Sequence, residues 1–108
     1  MIGIDITSIA RFKKNYNVFA DKILHKNEQE KFAQLQDDDL RAKFLATRWA
    51  IKEALYKVDN QFSHFNLVNI QKKGLKYILI DEQGEPNLHF DISTSSESDF
   101  LIAIVQGV

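Results

Sequence analysis

The sequence predicts an α+β fold, with helices in the first half packed on a largely antiparallel β-sheet. Three observations carry this. Ile2, Ile4 and Ile6 alternate with Gly3, Asp5 and Thr7, the two-residue period of a strand. Residues 27–58 carry helix-start signals followed by apolar residues at helical spacing. Beyond them, short apolar segments alternate with turn clusters. Helices early and mostly hairpin-linked strands later argue for α+β rather than a parallel α/β sheet.

Taken in order, the first strand ends near Ser8, a residue suited to cap a short helix beginning at Ile9. Asn27 followed by Glu30 resembles a capping box, opening a helix that carries Phe32 and Leu35. Asp37, Asp38 and Asp39 suit the positive N-terminal end of the next helix, which runs to about Val58. Leu67–Gln71, Leu75–Ile80, Leu88–Ser93 and Phe100–Gln106 read as strands. The middle two are joined by a turn around Gly84-Glu85-Pro86, and Thr94–Ser98 reads as another polar turn.

The 108 residues fit one domain, 1–108, with no repeat, low-complexity tract or linker. A chain this short buries a modest fraction of its surface, so oligomerisation would help it. A net charge of −1 disfavours a globally basic nucleic-acid binder. Residues 11–31 nevertheless concentrate Arg11, Lys13, Lys14, Lys22, Lys26 and Lys31. They form either a solvated helical face or a dock for an acidic partner. The absence of cysteine excludes disulfides, a thiolate nucleophile and a cysteine zinc site. No apolar run approaches the ~20 residues of a membrane span, and the start lacks signal-peptide character. A cytoplasmic protein is expected.

On the long helix, Leu40, Phe44, Ile51, Leu55 and Val58 share one stripe, which should pack inward. Trp49, Glu53 and Lys57 follow at i, i+4 and i+8 on the opposite face, with Arg48 and Lys52 at its border. This is either an exposed helix with a Glu53–Lys57 pair, worth ~0.2–0.5 kcal/mol, or a surface built for one carboxylate's cation and several phosphates. Mg²⁺ is typically held by one or two carboxylates plus substrate phosphates and water. Asp5 is the natural second carboxylate, since Asp is depleted in strands and sits opposite Ile2, Ile4 and Ile6. The alternative is an Asp5 that hydrogen-bonds local backbone before the Ser8 helix. His25, His64 and His89 do not form a ligand set by spacing; His89 reads as a surface residue.

Gly3–Arg11 resembles the N-terminal signature of the holo-acyl-carrier-protein synthase family, and Phe44–Lys57 resembles its second signature. In the latter an aromatic residue is followed four positions later by Glu and eight later by Lys. Phe19–Leu24 is similar to the segment between them, and Gly84-Glu85-Pro86 to a turn in the C-terminal half. The resemblance covers nearly the whole chain. It implies a phosphopantetheinyl-transferase-like fold, usually a homotrimer with sites at subunit interfaces. It also implies transfer of 4′-phosphopantetheine from coenzyme A to a serine of an acyl carrier protein, in fatty acid and lipid biosynthesis.

By position, the resemblance makes Asp5 and Glu53 the expected Mg²⁺ ligands, with Lys57 completing the catalytic set and contacting coenzyme A phosphates. Arg48 and Lys52 are expected near the same cofactor. Arg11, Phe19 and Lys22 fall where the family engages the carrier's acidic helix. Two departures concern the nucleotide. Residues 58–65 contain no glycine where the family has a glycine-rich loop, leaving His64 as a candidate contact. The family's two histidine positions are occupied by Asp91 and Ser96, and Ser96 is the candidate there. For the proton of the carrier serine, Glu53 through a water on the metal and a free water are both candidate acceptors. A non-catalytic or degenerate module that docks an acidic helix is the competing expectation.

Overall fold

The longest helix, α3 (Asp38–Val58), begins where the three aspartates predict. Asp37 caps it by accepting the Asp39 backbone N–H at 2.9 Å, and Asp38 and Asp39 sit in its first turn. This computed structural model describes residues 1–14 and 16–108. Before α3 come β1 (Ile2–Ser8), a 3₁₀ turn (Ile9–Phe12), α1 (Tyr16–Ile23) and α2 (Lys26–Gln34). After it come two 3₁₀ turns (Asn60–Phe62 and Phe65–Leu67), then β2 (Asn69–Lys73), β3 (Lys76–Ile80), β4 (Phe90–Glu97) and β5 (Phe100–Gly107). The expected α+β architecture is what forms.

The expected strands all appear, within a few residues, but they divide into two antiparallel sheets, β1-β5-β4 and β2-β3. β3 and β4 do not pair; one isolated bridge joins Ile80 to Pro86, in the loop before β4, so the Gly84–Pro86 turn does not close a hairpin between them. β4 runs through the stretch expected to turn; the reversal is at Ser98, whose φ is 53°, and Asp99. Asp99 explains how so short a turn holds. Its carboxylate accepts the Ser8 hydroxyl and the Ala10 N–H, the latter at 2.8 Å, and its carbonyl accepts the Ile9 N–H at 2.7 Å. Ser8 thus sits at the N-cap of the 3₁₀ turn without capping it through its own side chain.

The capping box of α2 lies two residues earlier than Asn27 and Glu30 predict. His25 Nδ1 accepts the Asn27 N–H at 3.0 Å, and Glu28 Oε1 accepts the His25 N–H at 2.8 Å. Glu28 is buried, so its position is set by the interior and not by local propensity alone. Leu35 lies just past the helix end, as its C-cap.

β1 alternates as predicted, but Ile2, Ile4 and Ile6 face outward, 65%, 55% and 60% exposed. Gly3, Asp5 and Thr7 face α3. Strand periodicity fixes which residues share a face, not which face is covered. Here the small residues decide. The strand lies so close over Ala54 that a Cβ on Gly3 would collide with the Ala54 carbonyl oxygen. In register, Ile4 opposes Ile104, Ile6 opposes Ile102 and Ser8 opposes Phe100. Directly opposed residues share a face, so one apolar outer surface runs across β1 and β5.

α3 is buried nearly all round its middle, from Leu45 to Leu55. One side joins Ile51 and Leu55 to Ile70, Leu79, Leu101 and Val105. Another joins Leu45 and Ala46 to Phe12, Ile23, Leu24 and Phe32. Leu40, expected on the inward stripe, is exposed because it precedes the covered turns. No helix among the described residues is long and apolar enough to cross a membrane.

Candidate active site

The inner face of β1 and one edge of α3 bring Asp5, Glu53 and Lys57 together. Lys57 Nζ lies 3.5 Å from Asp5 Oδ1 and donates to the Ile4 carbonyl at 2.8 Å. Burial pushes the Asp5 carboxyl above its ordinary value, and Lys57 opposes that shift. Burial also pushes Glu53 up, with the Asp5 charge acting in the same direction. Two carboxyls that stay pushed up despite the nearby cations Lys57 and Arg11 form a site suited to further positive charge. Asp5 Oδ2 is buried and has no hydrogen-bond partner. An orphaned carboxylate oxygen beside a second carboxylate fits a hard divalent cation. Among the described residues no group of three or more His, Cys, Asp or Glu could hold a metal, so substrate oxygens and water would supply the remaining positions.

Arg11 reaches the same neighbourhood. Its charge lowers both carboxyl values, and its guanidinium lies 4.9 Å from the Trp49 ring centroid. Trp49 also packs edge-on against Phe65 at 5.6 Å and against Phe12 at 6.3 Å. The tryptophan is therefore a spacer between the 3₁₀ turn that carries Arg11 and the segment after α3. Phe19 is half-buried against Phe12 at 5.0 Å, and Lys22 is exposed on α1.

The other expected residues do not join this group. Arg48 and Lys52, placed at the border of an exposed face by the helical wheel, are buried. Lys52 is 0% exposed; its Nζ donates to Glu28 Oε1 at 2.5 Å, to the Ile23 carbonyl at 2.7 Å and to the Phe65 carbonyl at 3.0 Å. Burial pulls its pKa down to about 8 despite the Glu28 charge. Arg48 Nε lies 3.6 Å from Glu28 Oε2, its NH2 donates to the Ile70 carbonyl at 3.4 Å, and its guanidinium stacks over Phe44 and Tyr77. The wheel failed because α3 is covered on more than one side. His64 is exposed beside Ser63, lining a cavity of about 360 Å³ with His25, Phe62 and Asn69. Ser96 is exposed on β4, opposite Leu101, with β5 between it and β1.

Glu28 is the residue that sequence reasoning missed. It looked like one acid among surface lysines, and only its place three residues into a helix hinted otherwise.

A family model described as the 4′-phosphopantetheinyl transferase superfamily matches residues 1–105. The chain is 43% identical over 105 residues to the holo-[acyl-carrier-protein] synthase of Mycoplasma mobile, covering 97% of this chain and 86% of the relative. It is also 43% identical over 108 residues to that of Mycoplasmopsis pulmonis, covering 100% and 90%. Among solved structures, the Neisseria meningitidis holo-[acyl-carrier-protein] synthase superposes with a TM-score of 0.76 at 29% identity, covering 96% of this chain and 94% of that one. A Bacillus anthracis holo-(acyl-carrier-protein) synthase in complex with CoA (3′,5′-ADP) gives 0.72 at 26% identity, covering 96% and 91%. With the Asp5–Glu53–Lys57 geometry already in place, these matches settle the family: the chain belongs to the 4′-phosphopantetheinyl transferase superfamily.

Proposed function

We propose that this chain is a holo-acyl-carrier-protein synthase. It moves 4′-phosphopantetheine from coenzyme A to a serine hydroxyl of an apo acyl carrier protein and releases 3′,5′-ADP. The observation that carries the reading is the convergence of Asp5, Glu53 and Lys57 around an unpartnered carboxylate oxygen. The names of the relatives and the coenzyme A complex of the Bacillus anthracis protein support it.

Asp5 and Glu53 would hold Mg²⁺, which when bound neutralises pyrophosphate charge and polarises the transferring phosphoryl group. The chain's own residues do the rest. In the transfer, the serine oxygen forms a bond to the β-phosphorus of coenzyme A and the bond to the bridging pyrophosphate oxygen breaks. Glu53 takes the serine proton through an intervening water. Lys57 lies beside Asp5 and places its charge where the leaving phosphate gains its own. Arg11, Phe19 and Lys22 offer the carrier's acidic helix a cationic surface around an aromatic ring.

The active form proposed is a homotrimer, the state the family resemblance implies, and the outer face of β1 and β5, where Ile2, Ile4, Ile6, Phe100 and Ile104 are exposed together, is the surface it would bury. Ser96 lies two strands from Asp5 in its own chain, so its contact with coenzyme A is proposed to be made across the interface. A cytoplasmic location and a role in lipid biosynthesis accompany this reading.

The test mixes the protein with apo carrier protein, coenzyme A and Mg²⁺ and reads intact carrier mass. Gain of one phosphopantetheine per carrier, lost on chelation, is expected. Carrier binding without any mass change would leave only a docking module.

A further inference from the structure

We infer that Lys52 is a positioning residue that ties both substrate-binding segments to α3 through one buried ammonium. The inference rests on the transferase reading for its kinetic consequences and on geometry for the rest. An ammonium has three N–H donors, and here each has an acceptor. One is the carboxylate of Glu28 on α2. The second is the carbonyl of Ile23, at the C-terminal end of α1. The third is the carbonyl of Phe65, opening the 3₁₀ turn after α3.

These two carbonyls belong to segments that the transferase reading sets against the substrates, α1 toward the carrier and the segment of the candidate His64 toward the nucleotide. α1 presents Phe19 and Lys22 to the carrier, and Phe65 follows His64 in the glycine-free segment 58–65. Neither segment pairs with a sheet; the Phe65 carbonyl also accepts the Val68 N–H at 3.1 Å, but that bond lies within its own turn and does not reach α3. Lys52 sits one residue before Glu53 on the helix, so the two segments are referenced to the helix that carries the reacting carboxylate. Glu28 orients the ammonium and is fixed in turn by the Ile70 N–H on its Oε2 at 3.0 Å.

A buried pair is often dispensable for stability when both charges are removed together. If Lys52 only neutralises Glu28, variants that lose both charges should behave alike whatever neutral side chain stands at position 52, because each leaves Arg48 equally without the Glu28 carboxylate. If it ties the two carbonyls, a charge-free replacement without donors should loosen both substrates at once. The two cases separate with a pair of double variants, Glu28→Gln with Lys52→Met and Glu28→Gln with Lys52→Gln. They share a charge state and differ in donors at position 52.

The donorless variant is expected to raise KM for carrier and for coenzyme A by ~10-fold each, with kcat changed less, and the glutamine variant to recover part of both. Wild-type KM values in the donorless variant, or a rise in only one of them, overturns the inference. Wild-type turnover is measured first, so a failure of the transferase reading shows there. Native-state hydrogen exchange of the wild-type protein gives a readout independent of activity and of variant folding. The end of α1 and residues 59–68 should open as one unit with a common free energy. Separate opening energies for the two segments overturn the inference whatever the kinetics show.

Discussion

Lys57 and Arg11 relieve only part of the electrostatic cost at Asp5 and Glu53, since both carboxyls are still pushed up and one Asp5 oxygen lacks a partner. Asp5→Ala and Glu53→Gln should each lower transfer by ~10²-fold or more, the scale of a lost catalytic group, while circular dichroism stays native. Near-wild-type turnover at saturating Mg²⁺ would remove both from the site. Asp99 makes a different prediction. Bonds from Ser8 and the Ala10 N–H hold its carboxyl below its ordinary value of 3.8. A lowered folded-state value means stability that is present above the unfolded value and is lost as pH falls through the folded one. Asp99→Ala should therefore melt lower than wild type at pH 7, and the gap should close as pH drops below about 3.8. A gap that persists unchanged in acid would assign the loss to packing. At this scale the site was legible where its spacing is local. Glu53 and Lys57 are four apart on one helix, and Asp5 stands out among isoleucines. The Glu28–Lys52 pair was not legible, because 24 residues separate partners that only the tertiary fold brings together.

β1 and α3 position the site by direct contact. Gly3 is what permits it, since any Cβ there meets the Ala54 carbonyl and Val58. Gly3→Ala should destabilise by ~1–3 kcal/mol or more, the range for overpacking, and should cost activity beyond that because Asp5 shifts with the strand. Denaturant melts paired with kinetics on the folded fraction would check it; a fully active, fully stable variant would mean that the strand slides freely. On the proposed reading, the 3₁₀ turn Ile9–Phe12 and α1 form the docking unit for the carrier. Arg11→Glu and Lys22→Glu should raise KM for the carrier more than for coenzyme A, with carrier affinity falling as salt rises, because exposed charges are screened within ~10 Å at 0.1 M. Equal effects on both substrates would place the docking face elsewhere. Strand and helix identities were legible from period and caps. The inward face of β1 was not, since the deciding quantity is the closeness of α3 and the pattern of isoleucines points the other way.

For the molecule as a whole, the outer face of β1 and β5 is the feature most in need of a partner. Burying Ile4 and Ile104 against another copy would remove them from water at ~25 cal/mol per Å² of apolar area. Sedimentation equilibrium should give a homotrimer at micromolar concentration, and Ile104→Glu should give monomers with little transfer activity. A monomeric wild type with full turnover would exclude the shared site. The same strand has a consequence for how such a protein drifts over generations. Of the seven residues of β1, Gly3, Asp5 and Thr7 lie against α3 and the proposed chemistry, whereas Ile2, Ile4 and Ile6 lie on the exposed face proposed to meet a copy. Neighbouring positions therefore answer to different demands, the odd ones to the chemistry directly and the even ones to assembly, on which turnover in turn depends. A lineage that altered its assembly would change the even-numbered positions and leave the odd ones alone. Mutational scanning of residues 2–7 should show odd positions that lose turnover while the protein still assembles, and even positions that lose assembly and turnover together.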